Sequence, residues 1–235
     1  LKFQSKIILK VNKKLVNFYS HNFKNIRVYS ENDSIPEESY EKFIAIGSLC
    51  KFLRTKTSDF ENSSFKKFDV PNQNLNLKRL IPNRKPIIGI SWYTTSFQTG
   101  VNRSLSPKEI SRVINKSKLN FINLQYGDVE DQIQKIQKLT SNALVSFPEI
   151  DLTDDIVSLS NLILKCDLVL TIDNTTAHLS SSLGQKTWIL LPYSADFRWF
   201  ENTSKSLWYN NATLFRQSSE NKWESILENI LTGNL

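Results

Sequence analysis

Glycine is scarce in this sequence, and its scarcity excludes two large classes of nucleotide-binding protein. The 235 residues include six glycines, none in the G-x-G-x-x-G or G-x-x-x-x-G-K-[ST] spacing that wraps backbone amides around a phosphate. P-loop NTPases and dehydrogenases with a dinucleotide fingerprint are therefore excluded. The hydrophobic fraction of 40% and the aromatic fraction of 11% are those of a packed globular protein.

Cysteine and histidine are equally rare, which argues against a disulfide framework and against a metal centre. Cys50 and Cys166 are far apart and neither belongs to a C-x-x-C pair, so we expect two reduced thiols. With His21 and His178 as the two histidines, a zinc site would depend almost wholly on carboxylates. These counts predict a cytoplasmic protein without a metal cofactor.

Long hydrophobic runs and methionine are also missing. No apolar run reaches the roughly 18 residues of a membrane span, and the lysine-rich start lacks the apolar region and cleavage site of a signal peptide. The chain begins at Leu1 and contains no methionine, so we expect it to be a fragment of a longer polypeptide.

Acidic residues are sparse at the start of the chain, and the resulting charge step predicts two structural units. Residues 1–85 hold 17 Lys and Arg against 8 Asp and Glu, whereas residues 86–235 hold 13 against 15. The basic part could be a solvated lysine-rich surface, or it could contact an anionic membrane surface or an acidic acceptor. Nucleic acid is the disfavoured partner, because no RNA- or DNA-binding motif accompanies the charge.

Beyond residue 85, short β-rich runs alternate with stretches of helical periodicity. A capping box from Ser106 to Glu109 begins one helix, Thr153 is predicted to cap a helix that runs to about Lys165, and Gly184 is a predicted C-terminal cap. The predicted strands are 86–92, 121–125, 143–147, 168–172, 187–191 and 213–215, and the predicted helices begin at 107 or span 129–139, 153–165, 173–183 and 223–231. This alternation predicts an α/β domain with a Rossmann-like, doubly wound parallel sheet.

Residues 1–85 repeat the alternation less completely. Strands are predicted at 6–11, 26–29 and 43–46, with a helix at 12–20, and the polar stretch 55–85 is interpreted as a connection. We therefore predict two domains: a partial N-terminal α/β unit with its linker at 1–85, and a complete α/β domain at 86–235.

The strongest candidate site lies where the predicted strand 168–172 leads into a helix. The turn carries a carboxylate, an amide, two hydroxyls and an imidazole, contributed by Asp173, Asn174, Thr175, Thr176 and His178. Free amides and the positive helix end bind anions at such a turn, and a carboxylate can accept hydrogen bonds from sugar hydroxyls. In the alternative interpretation, Asp173 or Asn174 merely caps the helix and His178 is a core residue.

Other polar residues follow neighbouring strands, and parallel strands bring such positions to one edge of the sheet. The residues concerned are Ser91, Trp92 and Tyr93 after the first strand, Gln125 and Tyr126 after the second, and Asp196 and Arg198 after the fifth. The aromatic residues near 193–209 could stack on a base or sugar, or could pack over the edge of the core. No clear D-x-D pair occurs, which disfavours a metal-dependent glycosyltransferase.

Three segments together resemble a known family. Residues 167–184 (DLVLTIDNTTAHLSSSLG), followed by 186–192 (KTWILLP) and 196–199 (DFRW), resemble the bacterial ADP-heptose:lipopolysaccharide heptosyltransferase family. The likeness is closest to the branch fused behind tetratricopeptide repeats. It covers about residues 86–235 well and residues 1–85 only loosely.

The resemblance implies a GT-B arrangement and a metal-independent sugar transfer. The donor would be a nucleotide-sugar, such as an ADP-heptose-like or UDP-linked sugar, and the acceptor an unidentified glycan, lipid or protein. The implied roles are sugar contact for Asp173, phosphate contacts for Asn174, Thr175 and Thr176, a turn-supporting or diphosphate contact for His178, a nucleotide border for Ser91, Trp92 and Gln125, and positive charge from Arg103. No catalytic residue can be named from the resemblance.

Two positions depart from the family pattern. Tyr93 and Tyr126 stand where relatives usually place Lys or Arg, which leaves Arg103 or Arg198 to balance the diphosphate charge. The first strand of the N-terminal unit, after which relatives commonly carry a catalytic base, is also missing. A nucleotide-sugar recognition module that has lost turnover is therefore the alternative.

Overall fold

The computed structural model describes most of the chain as two compact units, Leu1–Pro71 and Asn72–Leu235. The described residues are 6–61, 65–73, 75, 85–96, 100–117, 119–141, 144–220 and 222–233. The domain boundary predicted after residue 85 stays a prediction, since residues 76–84 lie outside the described part.

The N-terminal unit contains a small parallel sheet and a cluster of aromatic rings. Strands β1 (Ile8–Val11) and β2 (Arg27–Ser30) pair in parallel across a 3-10 turn at Lys13–Leu15 and helix α1 (Val16–Asn22). The aromatic rings of Phe18, Tyr19, Phe23 and Phe68 meet at centroid distances between 5.3 and 5.9 Å. These edge-to-face and stacked rings form an aromatic cluster beside the small sheet.

The strand predicted at 43–46 is wrong. Those residues have no regular structure until a 3-10 turn at Ile46–Leu49, which continues into α2 (Cys50–Leu53), and α3 (Ser58–Glu61) follows. Phe43 and Ile44 are exposed, so the apolar run that suggested a buried strand lies at the surface of the described structure. Composition predicted burial there, but the fold supplies no neighbouring strand among the described residues.

The second unit is built on six parallel strands in the order β5-β4-β3-β6-β7-β8. Their bounds are β3 Ile87–Ser91, β4 Asn120–Asn123, β5 Leu144–Val145, β6 Leu168–Ile172, β7 Thr187–Leu191 and β8 Ala212–Arg216. All six predicted strands are present in parallel register, which confirms the predicted doubly wound sheet. Residue 143, where the third strand was predicted to begin, lies outside the described residues.

Helices cover the sheet at the predicted intervals, with small corrections at their ends. Their bounds are α4 Gly100–Arg103, α5 Pro107–Lys116, α6 Glu130–Leu139, α7 Ile156–Ile163, α8 Thr175–Ser182 and α9 Glu224–Gly233. The capping box of Ser106 and Glu109 is confirmed. The predicted cap at Thr153 is wrong, because the Asp155 carboxylate accepts from the Ser158 amide and α7 begins later.

Tight packing against β3 explains one of the few glycines. Ile88, Ile90 and other strand residues are fully or almost fully buried, as expected of strands covered on both faces. A methyl group on Gly89 would come within 2.4 Å of Leu124 Cδ1 and 2.7 Å of Cys166 Sγ. Glycine is therefore needed here for space.

The strand order reverses between β3 and β6. The chain moves from β3 to β4 and β5 on one side, then returns to β6 and continues to β7 and β8 on the other. Ser91 and Thr171 are register partners at this reversal. Ligands of open α/β sheets bind at such a point, outside the carboxyl ends of the strands.

Candidate functional site

A buried hydrogen-bond network holds the strand ends at the reversal. The Ser91 hydroxyl donates to Gln125 Oε1 at 3.0 Å and accepts from Asn174 Nδ2 at 2.9 Å, so it links the ends of β3, β4 and β6. Gln125 Oε1 also accepts from the Trp92 and Tyr93 amides, at 2.8 and 2.7 Å. Ser91 and Gln125 are buried, and they shape the site from beneath.

Asn174 is the cap of α8. Its Oδ1 accepts from the Thr176 amide at 3.0 Å, the Ala177 amide at 3.4 Å and the Thr171 hydroxyl at 3.1 Å. Both Asn174 and Thr176 are buried. The polar groups of these two residues are used inside the fold, as the capping interpretation describes, and their predicted phosphate contacts stay a prediction.

Asp173 forms an ion pair with Arg103. Arg103 Nη1 donates to the Asp173 backbone carbonyl at 3.0 Å and to Oδ2 of the carboxylate at 3.3 Å. The side chain of Asp173 is 5% exposed and that of Arg103 is 20% exposed. In this arrangement the guanidinium covers the carboxylate, and the predicted contact between Asp173 and a donor sugar stays a prediction.

Arg103 retains unused hydrogen-bonding capacity. Its Nε is buried and has no hydrogen-bond partner among the described residues. Short helix α4 carries it, and Gly100 allows α4 to approach the loop after β3, since a Cβ there would lie 2.7 Å from the Thr94 carbonyl oxygen. The fold thus places a partly exposed cation beside the end of β6, and its role at a diphosphate stays a prediction.

Trp92 belongs to the core, and its predicted place at the border of a nucleotide stays a prediction. None of its side chain is exposed, and its indole N–H donates to Gln132 Oε1 at 2.9 Å. Gln132 lies on α6, so the tryptophan joins the loop after β3 to that helix.

Thr175, Tyr93 and Tyr126 form the accessible part of this edge. Thr175 is exposed at the first position of α8, and its hydroxyl accepts from the Tyr126 hydroxyl at 3.4 Å. Tyr93 and Tyr126 are half-buried, and their backbone carbonyls accept from Gln125 Nε2. Tyr93 packs against the core, whereas the Tyr126 hydroxyl reaches the start of α8.

His178 lies on α8 within an aromatic pocket. Its ring stacks on Trp199 with the centroids 4.8 Å apart, and its Nδ1 lies 3.2 Å from the Tyr209 hydroxyl. Burial lowers the pKa of His178 and Arg198 lowers it further, while the carboxylates of Asp173 and Asp196 act in the opposite direction. The imidazole is therefore neutral at neutral pH.

Asp196 and Arg198 form a second ion pair beyond β7. Arg198 Nη1 donates to Asp196 Oδ1 at 2.8 Å, and the Arg198 guanidinium lies 4.5 Å from the ring centre of Phe197. Burial opposes ionisation of Asp196, but the backbone and side-chain hydrogen bonds from Arg198 outweigh it, so its pKa is lowered. This pair is more exposed than Arg103 and Asp173, and its arginine is the second cation at this edge.

Three supporting residues escaped the sequence reasoning. Asn123 Oδ1 accepts from the Gln125 amide at 2.8 Å, Gln132 holds Trp92, and Gln217 Oε1 accepts from the Tyr193 amide at 3.1 Å. Asn123 and Gln217, which lie at or just after a strand end, are buried. The sequence could have indicated Asn123 and Gln217 only as Asn or Gln residues near the end of a predicted strand. Such residues have no fixed spacing from the backbone amides that they bind, so no motif identifies them.

The described residues contain neither a cluster of potential metal ligands nor a helix that could span a membrane. No three His, Cys, Asp or Glu side chains in the described part of the chain lie together as a metal site requires. Likewise, none of the described helices has the length and apolar character needed to traverse a bilayer.

Comparison with known proteins gives a curated relative and similar solved structures. No family model matches the chain. Protein FlbA of Caulobacter vibrioides is 25% identical over 201 residues, which cover 83% of this chain but 33% of FlbA. The glycosyl transferase family 9 protein from Veillonella parvula matches 66% of this chain and 44% of its own, with a TM-score of 0.53 and 11% identity.

A further structure, the β-Kdo 2,7 transferase KpsC of Thermosulfurimonas dismutans, spans 97% of this chain and 76% of its own at 13% identity, but its TM-score of 0.37 is too low to carry an argument. The tetratricopeptide fusion stays a prediction. This chain spans about a third of FlbA and less than half of the Veillonella protein, so it corresponds to a part of each. The likeness to the family 9 structure confirms the predicted fold class, a GT-B-like α/β fold with a Rossmann-like sheet.

Proposed function

We propose that this chain is the donor-binding part of a glycosyltransferase that transfers a sugar from a nucleotide-sugar to an acceptor without a metal ion. The observation that carries the proposal is the Arg103 guanidinium, which lies with Asp173 at the strand reversal beside the exposed start of α8. The donor would be ADP-heptose-like or UDP-linked, and the acceptor a glycan, lipid or protein. A cytoplasmic location belongs to the same proposal, supported by two unpaired cysteines.

Arg103 is the group best suited to receive the diphosphate. A guanidinium offers five N–H donors in a planar fork that matches phosphate oxygens. Nη1 bonds Asp173, Nε has no partner among the described residues, and a fifth of the side chain is accessible. When a phosphate arrives, Arg103 can keep its bond to the Asp173 carbonyl and exchange the carboxylate for a phosphate oxygen.

Helix α8 supports the same anion in a different way from the one predicted. Because Asn174 occupies the Thr176 and Ala177 amides, the helix contributes its dipole and the exposed Thr175 hydroxyl rather than a row of bare N–H groups. The Tyr126 hydroxyl, which contacts Thr175, adds a second neutral donor. Metal independence is consistent with this design, since fixed cations and hydroxyls would stabilise the departing diphosphate.

His178 and the second ion pair complete the proposed site. The neutral imidazole, held by Trp199 and Tyr209, can hydrogen-bond to a phosphate or sugar hydroxyl without adding charge. Arg198 would add positive charge for the diphosphate once it turns from Asp196. This is the compensation required by the tyrosines at 93 and 126.

A recognition module without turnover is the second candidate. Two observations favour it: Tyr93 and Tyr126 replace the expected cations, and the Asp173 carboxylate is covered by Arg103. Such a module would bind a nucleotide-sugar and release it unchanged.

Calorimetric titration with ADP and UDP, followed by an assay for sugar release from ADP- and UDP-sugars, separates these candidates. Arg103→Gln should weaken diphosphate binding at least about tenfold, the loss of one charge-assisted hydrogen bond. Arg112→Gln is the matched control. Arg112 lies on α5 and pairs with Glu224 and Glu228 on α9, so its loss removes an arginine that takes no part in the proposed site. Binding with sugar release supports the transferase, binding without release supports the recognition module, and no binding to either nucleotide contradicts both.

A further inference from the structure

Residues 40–53 of the N-terminal unit expose an unusual number of large apolar side chains. The exposed fractions are 90% for Phe43, 71% for Phe52, 68% for Ile46, 47% for Ile44 and 40% for Tyr40. Single exposed apolar residues are ordinary at a protein surface, but several within fourteen consecutive residues mark an interaction surface. We call residues 40–53 the apolar loop.

Basic side chains accompany the apolar loop. Lys42, Lys51 and Lys56 are exposed and Arg54 is half-buried. The exposed Glu41 is the one acidic residue of the apolar loop, and no Asp or Glu occurs from residue 42 to residue 58. The loop therefore combines exposed phenylalanine and isoleucine with positive charge.

We propose that the apolar loop inserts into the headgroup region of an anionic lipid bilayer. Apolar side chains of this kind enter the boundary between headgroups and acyl chains, while lysines extend their charged ends to lipid phosphates. This proposal does not depend on the proposed function, because it rests on the N-terminal unit alone.

The charge pattern favours lipid over a protein partner. Phenylalanine is enriched at the centre of protein interfaces, but lysine is depleted there because its ammonium is hard to desolvate. Here Lys51 directly precedes Phe52, and Lys42 directly precedes Phe43. A surface that places exposed apolar groups next to ammonium groups suits a bilayer, where apolar groups enter the acyl boundary and ammonium groups stay at the depth of the lipid phosphates.

Nucleic acid suits the loop less well. Bases stack on flat aromatic faces, but Ile44 and Ile46 contribute branched aliphatic side chains that gain nothing from stacking. Their exposure has a physical reason only if an apolar phase receives them.

Sedimentation of the full chain with vesicles tests the proposal. Vesicles of phosphatidylcholine and phosphatidylglycerol in a three-to-one ratio should bind the protein, and vesicles of phosphatidylcholine alone should bind it at least about tenfold more weakly. Phe43→Ser and Phe52→Ser should each reduce binding about tenfold or more, since each removes a buried ring from the interface. Lys42→Gln and Lys51→Gln should each reduce it roughly fivefold.

Phe197→Ser is the matched control. Phe197 is 69% exposed, close to the exposure of Phe52, but it lies in the other unit. Equal binding to neutral vesicles, unchanged binding after both loop substitutions, or an equal loss in the Phe197 control would overturn the proposal. So would light scattering that shows a dimer of the wild type which Phe43→Ser converts to monomers, because a second copy would then cover the loop.

Discussion

Replacing Asp173 with asparagine should tighten the binding of a nucleoside diphosphate. A carboxylate at the centre of a proposed sugar-nucleotide site would ordinarily be expected to help binding. Here, however, it holds the cation that the diphosphate needs, with Arg103 Nη1 3.3 Å from Asp173 Oδ2. Asparagine keeps the size of the side chain and the backbone carbonyl contact but removes the negative charge.

The size of the effect follows from the geometry of the pair. Two unit charges at this distance attract with about 5 kcal/mol at an effective dielectric constant near 20, and the desolvation of both groups offsets much of that. The net difference between a charge-assisted and a neutral hydrogen bond is roughly 1 to 1.5 kcal/mol, which is about a five- to tenfold change in affinity. Asp173→Asn should therefore bind ADP about five- to tenfold more tightly than the wild type.

Calorimetric titration with ADP measures this change in affinity. Thermal unfolding of the variant confirms that it is folded. Asp196→Asn is the matched control. Asp196 also pairs with an arginine, Arg198, but that ion pair is more exposed than the pair of Arg103 and Asp173. Removing its charge should therefore change the affinity for ADP about twofold or less. Weaker or unchanged ADP binding by folded Asp173→Asn would refute the reasoning, because Arg103 would then not be withheld by the carboxylate.

Three further predictions concern stability and chemistry. Gly89→Ala should lower the free energy of unfolding by about 1 to 3 kcal/mol in denaturant titrations, because the new methyl group overlaps Leu124 and Cys166, and an unchanged midpoint would contradict the packing. The pKa of His178 is lower in the folded protein than its value of about 6.5 in the unfolded chain, so the unfolded chain binds more protons and the folded state should lose stability as the pH falls below 6.5. In a profile of melting temperature against pH, His178→Asn should reduce the slope in this range. An equally steep profile would contradict the lowered pKa of His178. Burial raises the pKa of Cys166, so a thiol reagent should label Cys50 rapidly in the native protein and Cys166 only after unfolding, whereas two fast thiols would contradict its burial.

The sheet could be predicted because its signals are local. Each strand of the second unit is a short apolar run such as residues 168–172, and each run is separated by a stretch with helical spacing or a cap such as Ser106. Parallel strands buried on both faces appear in the sequence as short continuous apolar runs. The strand predicted at 43–46 has the same composition, and it failed because no local signal reports whether a neighbouring strand exists.

The candidate site was predicted as a set of residues but not as an arrangement. Sequence reasoning identified Ser91, Gln125 and Asn174 because polar groups at parallel strand ends meet at one edge, whereas Arg103 was named only from the family resemblance. It could not show that the Asn174 side chain caps α8, or that Arg103 pairs with Asp173, which lies seventy residues later in the sequence. Hydrogen-bond partners depend on distances of about 3 Å, which the order of residues does not contain.

By itself the sequence determined the α/β alternation, the parallel sheet and the edge at which polar groups gather, because hydrophobic periodicity and helix caps act over a few residues. Only the tertiary structure decided which of those polar groups face inward as support and which remain accessible. The physical reason is that every buried donor and acceptor must find a partner, and the partners come from strands and helices that are distant in the chain.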